Sequence, residues 1–244
     1  MFVTMSFDVS AAISFLKRQY DPALGLLRAS PNTEPNAYYL NNDNYLASKI
    51  LAGTDIGTTI TKNLAKSGIA KISTIDGAVL PNVLLGNQTI TLQSIGEKTI
   101  MTEITQTSGN ALTIDKYADV AFYNVLNLFN NGSVASARSA FAVAESTFWD
   151  RCGFNDIIFK TTGLYNLYKN CLYLIAADRL GVQATWRTAC EARIVAAQTF
   201  ALNRLGQLQN QRGGCLTEYD VNYTPTGDAN VETTSLAIRC FMHH

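Results

Sequence analysis

The segment Tyr165-Asn166-Leu167-Tyr168-Lys169-Asn170-Cys171-Leu172-Tyr173-Leu174-Ile175-Ala176-Ala177-Asp178-Arg179-Leu180-Gly181 carries apolar residues at helical spacing and ends on glycine, the residue that closes helices most easily. The spacing predicts a helix over 162–180. Outward from it the same period predicts helices over 184–209, 115–129 and 134–148, the last two joined by Asn130-Asn131-Gly132-Ser133, which reads as a turn. A final helix is expected from 231 to the end. Near the start, Val9, Ala12, Ile13, Phe15 and Leu16 share one face of a helix over 9–19 that stops before Asp21-Pro22. Beyond a loop rich in Pro and Asn at 20–42, helices follow over 44–52, closed by Gly53, and over 55–67, with Ile56, Ile60, Leu64 and Ala65 inward and Gly68 as the stop.

Residues 69–107 break the helical period. Ala78-Val79-Leu80 is bounded by Gly77 and Pro81, too short for a helix, and Val83-Leu84-Leu85, Thr89-Ile90-Thr91-Leu92 and 99–105 are runs rich in β-branched residues. Gly86-Asn87 and Gly96-Glu97 are the turn signals between them. Two to four short strands are expected, with the main β structure inside 72–106. More than half of all residues are expected to be helical.

The chain has 244 residues, with 19 basic against 19 acidic side chains, so it lacks the basic excess that a phosphate-backbone surface requires. A nucleic-acid partner is therefore not expected. No apolar run reaches membrane-spanning length, and the first residues lack the basic flank and apolar stretch of a signal peptide. Polarity comes instead from 20 Asn, 25 Thr and 14 Ser, a composition commoner on secreted proteins. A secreted or cell-surface location is the expectation, with a leader removed, and the cytoplasm is the alternative. Glycosylation acceptors occur at Asn87-Gln88-Thr89, Asn131-Gly132-Ser133 and Asn222-Tyr223-Thr224, about as many as chance supplies. Cys152, Cys171, Cys190, Cys215 and Cys240 share no close spacing, so no zinc site is expected. Export would imply at least one disulfide among the five.

Pairs of helices joined by polar loops match an up-and-down ring of hairpins, in which inner helices line a funnel. Leu208-Gln209-Asn210-Gln211-Arg212-Gly213-Gly214 resembles the Gln-to-Gly-Gly turn between helices of α/α-toroid proteins, which include terpene cyclases, polysaccharide lyases and six-hairpin glycosidases. The stretch from Tyr165 to Gly181 is similar to an inner helix of such a ring. The resemblance covers about 110–240 and implies a mainly α fold: an α/α toroid of helical hairpins with a small inserted β segment at 72–106, in one domain over 1–244.

Four clusters put several polar residues where a helix start needs one. They are Asn41-Asn42-Asp43-Asn44-Tyr45; Trp149-Asp150-Arg151-Cys152-Gly153-Phe154-Asn155-Asp156; 213–220, with Glu218 and Tyr219; and 227–234, with Asn230 and Glu232. A purely structural account is available for each: Asn42 or Asp43 caps a helix, Asn230 caps another with Glu232 against its dipole, and Trp149 edges the core. On the ring reading, Asp43, Asp150, Glu218 and Glu232 face one funnel as acid and base of glycoside cleavage, which needs one carboxyl group protonated and another ionised. Asn42, Tyr45, Trp149, Arg151, Tyr219 and Asn230 would hold the sugar, since aromatic faces stack on sugar rings while amides and charges bond the hydroxyls.

A lyase would need a Tyr, His or Lys base; Tyr165, Tyr168 and Arg151 are available, but no internal histidine exists. There is no G-x-S-x-G elbow, Walker loop, G-x-G-x-x-G turn or D-D-x-x-D run. The sequence thus points to a carbohydrate-active, glycosidase-like hydrolase without cofactor or metal. The rival is a noncatalytic carbohydrate-binding or structural surface protein on the same scaffold.

Overall fold

The computed structural model describes residues 6–32, 39–64, 70–79, 88–96, 98–105, 114–157, 162–203 and 209–242. Just over half of them are helical, so the protein is mainly α. The helices are α1 Val9–Arg18, α2 Asn41–Ile50, α3 Asp55–Asn63, α4 Ala70–Ile75, α5 Ala118–Asn130, α6 Val134–Phe148, α7 Leu167–Leu180, α8 Arg187–Asn203 and α9 Val231–Phe241. The strands are β1 Tyr20–Asp21, β2 Leu26–Leu27, β3 Tyr39–Leu40, β4 Gln88–Ile95, β5 Lys98–Thr105, β6 Leu164–Asn166, β7 Leu216–Asp220 and β8 Pro225–Ala229.

Local chemistry sets several helix ends. Asp8 accepts from the Ala11 amide at 2.9 Å and Thr54 from Gly57 at 3.1 Å, each satisfying a donor that the first turn leaves free. At the other end of α7, Gly181 takes the left-handed conformation at φ 59° and stops the helix as the sequence predicts.

Helix α7 is the hub. It is buried along most of its length and packs against α5, α6, α8 and α9; α9 packs in turn against α1 and α2, and α4 touches both α2 and α5. Between α5, α6 and α7 the rings of Phe122, Phe141, Phe154 and Tyr173 interlock, with Phe141 and Tyr173 stacked at 5.3 Å and Phe122 edge-on to Phe154 at 5.0 Å. Buried apolar residues from Phe7 to Cys240 form one contiguous cluster. The Tyr173 hydroxyl donates to Glu145 and accepts from the Trp186 amide at 3.0 Å, tying the α7–α8 joint to α6.

Three expectations change. The region 72–106 begins in helix, because α4 runs to Ile75; its strands are β4 and β5, an antiparallel pair extended by parallel pairing of β5 with β3. Ala78 and Val79 lie in no strand, and Val83-Leu84-Leu85 falls outside the described residues. A second three-stranded sheet, β6-β7-β8, was not expected: 164–166 is a strand rather than the first turn of a helix, because it pairs with β7 and Tyr165 stacks on Tyr219 at 5.4 Å. Finally, α2 starts at Asn41, which places Asn44 inside the helix. There Asn44 binds both the amide (2.7 Å) and the carbonyl (2.9 Å) of Leu27, pinning β2 to α2 rather than capping.

The turn between β1 and β2 is held by Asp21, which accepts from the Tyr39 hydroxyl at 2.8 Å, from Lys98 and from the Ala23 and Leu24 amides. Burial alone would raise its carboxyl, but the bonds from Lys98, Tyr39 and these amides outweigh it and bring the group down to about 2. A depressed folded-state value stabilises the fold above the ordinary carboxylate range and loses that stabilisation as pH falls toward 2. Thermal unfolding of the parent and of Asp21→Asn should therefore differ at pH 6 and converge between pH 4 and pH 2. A difference that persists at pH 2 would contradict this clamp.

Candidate functional site

Tyr168 is the second residue of α7, a helix that packs against both α5 and α9. Asp119 comes from the first turn of α5 and Glu232 from the first turn of α9, and both are partly exposed. Burial first, then the charges of Asp119, Glu232 and Asp156, hold the Tyr168 phenol well above its ordinary value. The phenol therefore keeps its proton. Carboxylates from two helices and a loop thus all bear electrostatically on one phenol supplied by a third helix.

A buried ion pair supports this arrangement. Lys169 Nζ lies 2.8 Å from Asp156 Oδ2, both almost inaccessible, and the same Asp156 accepts the Ala118 amide at 2.8 Å through Oδ1. One carboxylate thus caps α5 and binds α7, fixing the starts of the helices that carry Asp119 and Tyr168.

The residues singled out in the sequence fall into three places. Glu232 stands beside Tyr168, and Asn230 caps α9 by accepting the Thr233 amide at 2.8 Å. Glu218 accepts from Asn166, the residue that precedes α7, at 3.3 Å. Asp43 is buried in the first turn of α2 beside the half-buried Asn42, on a helix that packs along α9. Tyr45 lies elsewhere, next to Asp76 and Arg239; burial and then Asp76 push its phenol up to about 12.

Trp149, Asp150, Arg151 and Tyr219 gather in another cluster. Asp150 accepts the Tyr165 hydroxyl at 3.0 Å and the Cys152 amide at 3.2 Å, so it is a turn-forming acid. The Tyr219 hydroxyl donates to the Cys152 carbonyl at 3.2 Å and accepts from Asn170 at 3.1 Å. Gly153 is required there, because a Cβ would sit 1.9 Å from that hydroxyl. Arg193 is sandwiched among Trp149, Tyr219 and Tyr223 with ring-centre distances of 5.0, 5.6 and 4.7 Å, and Trp149 stacks on Trp186 at 4.6 Å.

Strand geometry separates the clusters. Neighbours on a strand point to opposite faces, so Tyr219 meets Tyr165 while Glu218 meets Asn166. The structure brings Asp150, Trp149, Arg151 and Tyr219 together and places Glu232 at Tyr168, but it does not join Asp150 to Glu232. Asp119, Lys169, Asn170 and Arg193 were not among the expected site residues, and Asp156 was singled out only as the end of the 149–156 cluster. The signal for Lys169 and Asn170 was present: both interrupt the apolar run of α7 at positions that its helical period buries.

The five cysteines are free thiols. No described helix is long and apolar enough to cross a membrane. Neither a known protein family nor a curated protein nor a solved structure matches the chain.

Proposed function

We propose that the protein is a carbohydrate-active hydrolase of glycosidase type on an α/α-toroid scaffold, with its centre at the N-terminal ends of α5, α7 and α9. The observation that carries the reading is that Asp119 and Glu232 lie in the first turns of α5 and α9, two helices that both pack on α7, and both raise the phenol of Tyr168 in its first turn. Glycoside cleavage needs two carboxyl groups, one giving a proton to the leaving oxygen and one acting on water or on the anomeric carbon. Asp119 and Glu232 take those roles here, and Tyr168 donates a hydrogen bond to whichever of them is ionised or to a sugar oxygen. The catalytic pair is thus Asp119 and Glu232, with Asp150 left to its turn.

Support for the ring comes from helix packing: α2 touches α4, α4 touches α5, α5 touches α7, α7 touches α9 and α9 returns to α2. These would be the inner helices, with α1, α3, α6 and α8 outside. A lyase fits less well. Its tyrosine base would have to ionise, and the phenols of Tyr165 and Tyr168 are both pushed upward by burial and by nearby acids.

The noncatalytic reading has its own observation. Trp186 is 36% exposed and Tyr223 49% exposed, at the two sides of the Arg193 cluster, as a sugar-stacking surface would need. Digestion of a broad panel of oligosaccharides, followed by release of new reducing ends, separates the two. Cleavage that disappears in Glu232→Gln supports the hydrolase; retention of glycans without cleavage supports the binder.

The secreted location belongs to the same proposal and has a specific consequence. The Cys240 thiol donates to the Cys171 carbonyl at 3.5 Å across the α7–α9 contact, which brings these two buried cysteines together. In an oxidising compartment this is the pair placed to bridge. Peptide mapping of the protein from its native source, without reductant, should recover a Cys171–Cys240 peptide; five free thiols would count against export.

A further inference from the structure

A cavity of about 450 Å³ lies at the C-terminal ends of α4, α7 and α9, at the far end of α7 and α9 from Tyr168 and Glu232. Its walls are mixed: Ile75, Ile175, Ala177 and Val182 supply the apolar part, and Asp178 and two guanidinium groups, Arg179 from α7 and Arg239 from α9, the polar part. Arg239 donates through Nη2 to Asp76, while its Nη1 is buried without a hydrogen-bond partner. Arg179 donates through Nη2 to Asn130 at 3.3 Å.

The nearby carboxylates are already engaged. Asp178 is held by Arg187, and Asp76 is shared by Arg239 and the Tyr45 phenol. Arginines in last turns complement the negative ends of helices, which accounts for their presence but not for a buried donor left unmatched. An acceptor placed in the cavity would satisfy that donor. Asp178 on the wall is already paired with Arg187, so away from the two arginines such a ligand meets chiefly Ile75, Ile175, Ala177 and Val182, which suits an apolar remainder.

We propose that this cavity binds a small amphiphilic carboxylate, its anionic end against Arg179 and Arg239 and its short chain against Ile75, Ile175 and Val182. The site stands apart from the proposed catalytic centre and does not depend on it. A chain of about six to ten carbons suits a pocket at the small end of the usual ligand range.

Titration calorimetry on the full chain tests this with octanoate, its neutral analogue octanamide, and inorganic phosphate. Octanoate should bind at one site with Kd below about 1 mM, and octanamide and phosphate should each bind at least about tenfold more weakly, since one lacks the charge and the other the chain. Arg179→Gln, which leaves the Arg239–Asp76 pair intact, should weaken octanoate at least about tenfold. Val182→Trp, at the cavity edge beyond α7, should abolish binding by filling the space. No octanoate binding by the parent, equal affinity for octanamide or phosphate, or unchanged affinity in Arg179→Gln would each overturn the proposal.

Discussion

Glu232→Gln and Asp119→Asn should each lower the turnover of a cleaved oligosaccharide by about 10²- to 10⁴-fold, the range that loss of a positioned acid or base produces. Each amide keeps the shape of the side chain and one acceptor oxygen but cannot donate a carboxyl proton or carry the negative charge. Asp119→Asn should hardly move stability: Asp119 is partly exposed in the first turn of a helix, where a carboxylate contributes only about 0.3–1 kcal/mol through the helix dipole. Asp150→Asn is the control. Asp150 bonds the Tyr165 hydroxyl and a turn amide instead of facing Tyr168, so its loss should leave turnover within about threefold, because it removes no proton-transfer group. If Asp150→Asn abolished cleavage while Glu232→Gln did not, the catalytic centre would have to move to the aromatic cluster.

The largest effect on stability is expected at the ion pair beneath that site. Asp156→Ala strands the ammonium of Lys169, which is 1% exposed, and also removes the acceptor of the Ala118 amide. Breaking a buried pair from one side costs about 3–5 kcal/mol, and at this chain length that corresponds to a fall in Tm of roughly 10 °C. Lys169→Met should cost less. The carboxylate it leaves behind still accepts the Ala118 amide and faces the start of α5, so its charge keeps part of its compensation. In Lys169→Met with Asp156→Ala the combined loss should fall short of the sum, since neither member is left as a lone buried charge. Strict additivity in thermal unfolding would mean that the two side chains do not act as a pair.

The order of these two effects shows where sequence reading succeeds and where it stops. Helix α6 was expected over 134–148 and is found at those bounds, and α9 begins at Val231 behind the Asn230 cap, because apolar period and capping act within one or two turns. β6 was read as helix because the interaction that makes it a strand is with β7, about fifty residues away in sequence. The same separation hid Asp156 as the partner of Lys169, although the lysine itself was visible as an interruption of an apolar run.

Among the carboxylates, Glu232 was legible as the acid of a helix start, and it does lie in the first turn of α9. Glu218 and Tyr219 were read as neighbours in one site because they are adjacent in sequence. The alternation of β7 sends them to opposite faces, a division that only the pairing of that strand reveals. Asn44 likewise looked like one more polar residue at a helix head, yet its side chain is spent entirely on the backbone of Leu27 and Leu40.

A crystal structure of Glu232→Gln soaked with an oligosaccharide that the parent cleaves tests the central claim most directly. The account predicts an intact sugar chain across the starts of α5, α7 and α9, with a glycosidic oxygen in hydrogen-bond reach of residue 232 or Asp119 and a hydroxyl bonded to Tyr168. Sugar bound only on the Trp186 and Tyr223 face, with the region around Tyr168 filled by water, would contradict it.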